Sequence, residues 1–431
     1  MKVRIESWTR KKAPRTVTRF LQRPAFDEAA EVAARKVLKA VRSDGNAAVV
    51  KFAKQFDGVE LTPGTLRVKR AEIARARDKV DTRIKNAMRE THKRVSTFAR
   101  KGMKKDWQMP CPRGGTLGEQ YKPLERVGVY VPGGAAPLAS TALMTATLAK
   151  VAGVPEIVAC TPCGPNKKVD PVLLFAMEMA GVTEMYKVGG IQAIGLMAYG
   201  TQSIMPVQKI VGPGGTYVTA AKRQVYGDVA LDMVAGPSEI AILADETADA
   251  RYVAADLLSQ AEHGTGHEKA LLVTSSERLA KVVQSELETQ AALLSRQECV
   301  REVMKLGMLL VVAPNLDEGM ELINEFAPEH LELLVREPKS WLKKVQCAGA
   351  IFVGSWSPES VGDFVAGPSH VLPTGGTAAL FSGLTVDDFR RRSSFIAFTR
   401  ADLHDVVPII ETFGEIEGLD AHARSARIRF E

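Results

Sequence analysis

The sequence predicts an α/β fold of two three-layer units, and three observations carry this. Short β-branched runs recur after Glu125, they alternate with Ala- and Leu-rich stretches, and the rhythm restarts beyond the glycine-rich AGPSE at residues 235–239. Buried strands of a parallel sheet read as short continuous apolar runs, and crossover helices supply the stretches between them. The first series is RVGVYV, PEIVACT, EMYKVGG and QKIVG; the second is EIAILAD, KALLVT, GMLLVVA, LELLV and GAIFVGS. The units are Rossmann-like but incomplete, since GxGxxG occurs in neither.

The flanking regions read differently. Residues 1–25 form an N-terminal segment, and from Phe26 to about Arg100 apolar residues recur at spacings of three and four, with Gly45 and Gly58 as breaks, which predicts helices. The expected grouping joins 26–129 to 237–380 as a first α/β domain with a helical N-terminal part. Residues 130–236 form a second α/β domain with the glycine-rich loops. From about Phe381 the apolar runs become helical again, so 381–431 is expected to be a small helical C-terminal segment.

Composition bounds the function. A chain of 431 residues, 45% hydrophobic and 25% charged, suits an enzyme with a substantial core. The opening MKVRIESWTRKKAPRT lacks the apolar run of a signal peptide, and no stretch approaches the ~18 apolar residues of a membrane span, so the cytoplasm is expected. The net charge of +7 lies in short clusters such as KKAPR, KGMKK and FRRRSS, without the concentrated stripe of a nucleic-acid surface. Five cysteines are too few and too odd for a disulfide framework. The single CxxC, Cys160 to Cys163, has no second pair to complete a zinc knuckle and reads as two small residues at a strand end.

Four glycine-rich turns, VPGGAAP, VGGIQAIG, VGPGGTYV and VAGPSE, punctuate the first series. Glycine after a strand lets backbone N–H groups approach a phosphate at a helix N-terminus, although tight strand-to-helix turns use the same residues.

The histidines raise a metal question. His263 and His267 are four apart in LLSQAEHGTGHEKALLVT, the spacing of an HxxxH helix, but Gly264 and Gly266 fall between them. With Asp249 as N-cap and Gly264 as the stop, the helix ends before His267. Gln260 and His263 then share a face in its last turn, and an amide oxygen and an imidazole can both bind zinc. A helix-terminal histidine bonded to its own carbonyls is the alternative. In NEFAPEHLEL, Pro328 suits the first position of a helix, with Glu329 and His330 in the opening turn, where the dipole would lower the histidine pKa. That pair is either an acid–base couple or the decoration of a helix start.

In order and spacing, LLSQAEHG, FAPEHLEL, GDFVAGPSHVLPTGGTA and EGLDAHA resemble the motifs of the histidinol dehydrogenase family, as do the earlier RVGVYVPGG, VGGIQAI and AGPSE. The resemblance runs from the N-terminal helices to the last ten residues. It implies a zinc-dependent enzyme that oxidises L-histidinol to L-histidine in the last two steps of histidine biosynthesis, using two NAD+ at one site. It implies zinc held by Gln260, His263, Asp363 and His422, and not by His267. His330 would be the base for the hydroxyl proton and Glu329 the activator of water. Ser238, His370 and Glu417, with the zinc ligands and Glu329, would hold the substrate, and Tyr130, Gln192 and Gly215 would contact NAD+. The implied partner is a second copy, a homodimer in which the C-terminal segment crosses over, so that His422 and Glu417 complete the other subunit's site.

The chain departs from the family pattern at Gly215, where asparagine is usual, at TGHE after AEHG, and at Ser369, where asparagine is common. The alternative reading is a paralogous zinc- and NAD-dependent dehydrogenase of another hydroxy compound, such as a sulfonated diol. Intact APEHLEL, His370 and Glu417 argue against it.

Overall fold

Two parallel sheets organise the chain, with strands where the apolar runs predict them. The structure is a computed structural model describing residues 2–22, 27–133, 137–234, 236–264 and 266–431. The five-stranded sheet has the order Glu184–Tyr186, Glu156–Cys160, Arg126–Tyr130, Lys209–Val211, Ala230–Leu231, with every pairing parallel. The six-stranded sheet has the order Arg4–Ser7, Met308–Val312, Lys269–Thr274, Glu239–Ala244, His330–Leu334, Ala350–Val353, again parallel throughout. Both are covered on two faces by helices, so their central strands are buried, and the apolar runs follow from that. No helix among the described residues is long and apolar enough to cross a membrane.

Three features differ from expectation. The polar segment RIES at Arg4–Ser7 is an edge strand paired with Met308–Val312, held by backbone bonds that its side chains do not announce. The helices Glu28–Asp44 and Thr82–Gly102 bury Val37, Leu38 and Val41, and Val95 and Ala99, against helices that cover the five-stranded sheet. The expected grouping of 26–129 with 237–380 would have put those faces on the other sheet. The region after Phe381 is not helical throughout: Arg390–Ala397 is a strand that pairs antiparallel with Thr116–Pro123, which in turn pairs with Trp107–Pro110. Beyond it the helices Arg400–Glu417 and Asp420–Arg427 pack against each other.

Among the expected turns, Gly264 at φ 93° and Gly266 at φ 77° adopt left-handed backbone, and the helix Ala250–Ala261 has ended before either. Two such residues between His263 and His267 rule out one continuous helical face. Cys160 closes its strand fully buried, which pushes its thiol pKa far up.

Candidate active site

The catalytic candidates gather at the amino edge of the six-stranded sheet, where the strands beginning at Glu239, Lys269, His330 and Ala350 lie side by side. Ligands of open α/β sheets more often sit at the carboxyl edge. Here the helix Ala250–Ala261 runs back from the strand Glu239–Ala244 and delivers Gln260 and His263 to the amino edge. Asp249 caps its start by accepting from Arg251 N–H at 2.9 Å.

His330 is the first residue of a strand, which corrects the expected helical turn at 328–330. The helix Leu316–Phe326 ends instead at Ala327, in the left-handed region at φ 46°, and Pro328 leads into the strand. His330 is therefore not in the opening turn of a helix. Burial alone is the main cause of its lowered pKa, down to about 4, with Asp363 opposing. Beside it, Glu329 is buried and accepts the Glu239 N–H at 3.0 Å, while burial raises its carboxyl pKa well above the ordinary value.

Around His330 the contacts are short. Its Nδ1 lies 3.1 Å from the Gln260 amide and 3.3 Å from Glu359 Oε1, and its Nε2 lies 4.0 Å from Asp363 Oδ1. The Gln260 amide is satisfied at both ends when its nitrogen faces His330 Nδ1 at 3.1 Å, Glu359 Oε1 at 3.1 Å and the Glu239 carbonyl at 3.2 Å. Its oxygen then faces His263 Nδ1 at 3.3 Å. His370 Nδ1 lies 3.1 Å from the Asp363 carbonyl, and burial lowers its pKa too. A cavity of about 480 Å³ opens here, lined among others by His330, Asp363, Ser369 and His370. Ser238 precedes the neighbouring strand, and its carbonyl accepts from Lys269 N–H at 3.1 Å.

The donor set suits a divalent cation. Ligand atoms of His263, Glu359 and Asp363 all lie within 4.8 Å of one another. Burial raises the carboxyl pKa of Glu359 as well as that of Glu329, so the site concentrates acidic groups that a cation would compensate. The Gln260 oxygen, 3.3 Å from His263 Nδ1 in that orientation, is a further donor of the kind zinc accepts.

The family-scale comparison decides among chemistries this site allows. A family model described as histidinol dehydrogenase matches residues 21–430. The chain belongs to the histidinol dehydrogenase family. It is thereby an NAD-dependent oxidoreductase. Relatives named histidinol dehydrogenase include one from Heliobacterium mobile, 46% identical over 96% of both chains, and one from Bacillus cereus, 47% identical over 94% of both. A crystal structure of histidinol dehydrogenase from Elizabethkingia anophelis superposes with a TM-score of 0.93 at 33% identity, covering 100% of this chain and 98% of that one.

Of the residues that the resemblance to histidinol dehydrogenases singles out, Gln260, His263, Glu329, His330, Asp363 and His370 come together in this one region. Glu417 and His422 do not. They lie exposed on the two C-terminal helices, and His422 is not in the candidate metal group among the described residues. Tyr130 and Gln192 belong to the five-stranded sheet and its helices, where the Tyr130 hydroxyl accepts from Gly190 N–H at 3.1 Å and burial pushes its pKa up to about 12. Gly215 caps the helix Thr216–Val225. Sequence reasoning missed Glu359, although it precedes Asp363 by four residues in the helix Glu359–Phe364, a spacing that puts both on one face. Glu239, Glu332 and Asp256 also escaped notice, because their residue types and positions look like ordinary surface acids.

Proposed function

We propose that this protein is a zinc-dependent L-histidinol dehydrogenase that converts L-histidinol through L-histidinal to L-histidine with two NAD+, the last two steps of histidine biosynthesis. The observation that carries this reading is the buried Glu329–His330 pair beside the Gln260, His263 and Asp363 cluster, in a chain of this family. Zinc, when bound by Gln260, His263, Asp363 and a second subunit's His422, would position the substrate by its imidazole and amino nitrogens, and NAD+ would accept hydride.

The remaining work falls to side chains. Burial keeps the His330 imidazole neutral at pH 7. His330 is the group that takes the substrate's hydroxyl proton, with Glu359 Oε1 3.3 Å from its Nδ1 and Asp363 Oδ1 4.0 Å from its Nε2. Glu329, with its raised pKa, is a stronger base once ionised than an exposed glutamate, and takes a proton from the water that attacks the aldehyde. The hydrate so formed is the substrate of the second oxidation. Ser238, His370 and Glu417 hold the substrate, while Tyr130, Gln192 and the turn at Gly215 make residues 130–236 the NAD-binding domain.

Glu417 and His422 support a homodimer with shared sites, since both are exposed on a helical pair. The first of these helices, Arg400–Glu417, also exposes Ile409, Phe413 and Ile416, apolar surface that a partner would cover. The cytoplasm is the proposed location. The test is to give the zinc-loaded protein limiting L-histidinol and excess NAD+. Two NADH per histidinol, with histidine as product, is the expected result. No NADH from protein shown to contain zinc would move the assignment to another hydroxy substrate.

A further inference from the structure

We propose that Asp57 is a positioning residue for the cofactor: it fixes which end of the Gln192 amide faces the nucleotide, so that Gln192 offers the dinucleotide an acceptor oxygen. The inference rests on the reading above that Gln192 lies at the NAD+ site.

Asp57 is the last residue of the helix Asn46–Asp57, followed by Gly58 in left-handed conformation. A carboxylate at that end meets the negative pole of the helix, where local stability favours a base. Its position is explained by what it touches. Asp57 Oδ2 accepts a hydrogen bond from Gln192 Nε2 at 3.1 Å. Gln192 lies in the first turn of the helix Gly190–Tyr199, directly after the Gly189–Gly190 turn, and its side chain is fully buried.

An ionised carboxylate only accepts, so an amide bonded to it must present its nitrogen and turn its oxygen away. That oxygen, Gln192 Oε1, is buried and has no hydrogen-bond partner among the described residues. Buried acceptors without partners are rare in folded chains, and one beside a glycine turn invites a ligand donor. A side chain at the turn would crowd that oxygen. Gly190 has φ 63°, and a Cβ there would stand 3.1 Å from Gln192 Oε1. The donor would be a hydroxyl of the ADP-ribose part or the carboxamide N–H of the nicotinamide.

The experiment measures binding of NAD+ and of ADP-ribose to the zinc-loaded full-length protein by calorimetry, in wild type, Asp57→Asn, Asp57→Glu, Gln192→Ala and the double variant Asp57→Asn/Gln192→Ala. Asparagine can donate to Gln192, letting its amide turn round, whereas glutamate remains an acceptor. The expected result is about tenfold weaker NAD+ binding in Asp57→Asn, near wild-type binding in Asp57→Glu, and no further loss when Asp57→Asn is added to Gln192→Ala. L-Histidinol binding should be unchanged throughout. Parallel weakening of ADP-ribose would assign the donor to that part, and weakening of NAD+ alone to the carboxamide.

If Gln192→Ala weakens NAD+ while Asp57→Asn does not, or if the two losses simply add, the role of Asp57 is overturned and the cofactor site stands. If Gln192→Ala leaves NAD+ binding intact, the placement of the cofactor falls and the role of Asp57 with it.

Discussion

Glu359 Oε1 lies 3.3 Å from His330 Nδ1, and both side chains are almost wholly withdrawn from solvent. A carboxyl group this close restricts the orientation of an imidazole, much as orienting groups do behind metal-bound histidines. Glu359 also has an oxygen in the candidate metal group, so its two possible roles must be separated. In Glu359→Gln the expected outcome is retained zinc with turnover lower by roughly 10- to 100-fold. Metal analysis alongside steady-state kinetics checks this. Loss of zinc together with turnover would make Glu359 a ligand instead.

One layer behind, the Asp256 and Glu332 carboxyl groups lie close enough to influence each other, an arrangement that favours a proton held on the pair. Burial pushes Asp256 up to about 6 and Glu332 well above the ordinary range, and Glu332 Oε1 also accepts the Glu359 N–H at 2.8 Å. The pair therefore ties the helix of Gln260, the strand of His330 and the helix of Asp363 together. With folded pKa values above the unfolded ones, the native state binds more protons, so stability is fully present below about pH 4 and falls as pH rises through about 6. Asp256→Asn supplies an amide donor that needs no proton. Its melting temperature relative to wild type should rise by a few degrees between pH 5 and pH 8, measured by thermal denaturation at each pH. An equal difference at both values would show that the pair does not titrate in this window.

The resemblance read from the sequence expects asparagine where this chain has Gly215, and the structure leaves space for such a side chain. A Cβ built there meets nothing within 4 Å, and the backbone at φ −68° suits any residue. Gly215 is also the N-cap of the helix Thr216–Val225, a position that asparagine favours. Gly215→Asn should therefore fold at least as stably and bind NAD+ more tightly by about 0.5–1.5 kcal/mol, roughly two- to tenfold in Kd. Unchanged affinity in a titration would mean that this cap does not reach the nucleotide.

How much of this was legible depended on whether burial leaves a mark on residue type. The strands Glu239–Ala244 and Lys269–Thr274 are almost wholly buried, and apolar runs announced them. The strands Arg4–Ser7 and Arg390–Ala397 are held by backbone pairing under exposed polar side chains, and nothing in RIES or RRRSSFIA separates them from loops. At the site, the glycines marked the break between His263 and His267, but the helix ends earlier, at Ala261, so that Gln260 lies within it and His263 beyond it. His330 was misplaced because a proline before Glu-His fits the entry to a strand as well as the start of a helix. Its low pKa comes from burial between elements distant in sequence, which no local pattern records.

The break at Gly264 and Gly266 leads to a separate prediction for the two histidines it divides. His263 lies two residues past the end of the helix Ala250–Ala261, not in its last turn as expected; its Nδ1 is 3.2 Å from the Gln260 carbonyl, and the side chain joins Glu359 and Asp363 in the candidate metal group, whereas His267 does not. If His263 binds zinc, His263→Ala removes one of four donors. That should weaken metal retention by an order of magnitude or more, read as zinc per subunit after dialysis against a chelator. His267→Ala should keep its zinc and its turnover, because two left-handed glycines separate that imidazole from His263 and His267 is not in the candidate metal group among the described residues. Zinc loss in His267→Ala with retention in His263→Ala would reverse the assignment and place the metal on the far side of the turn.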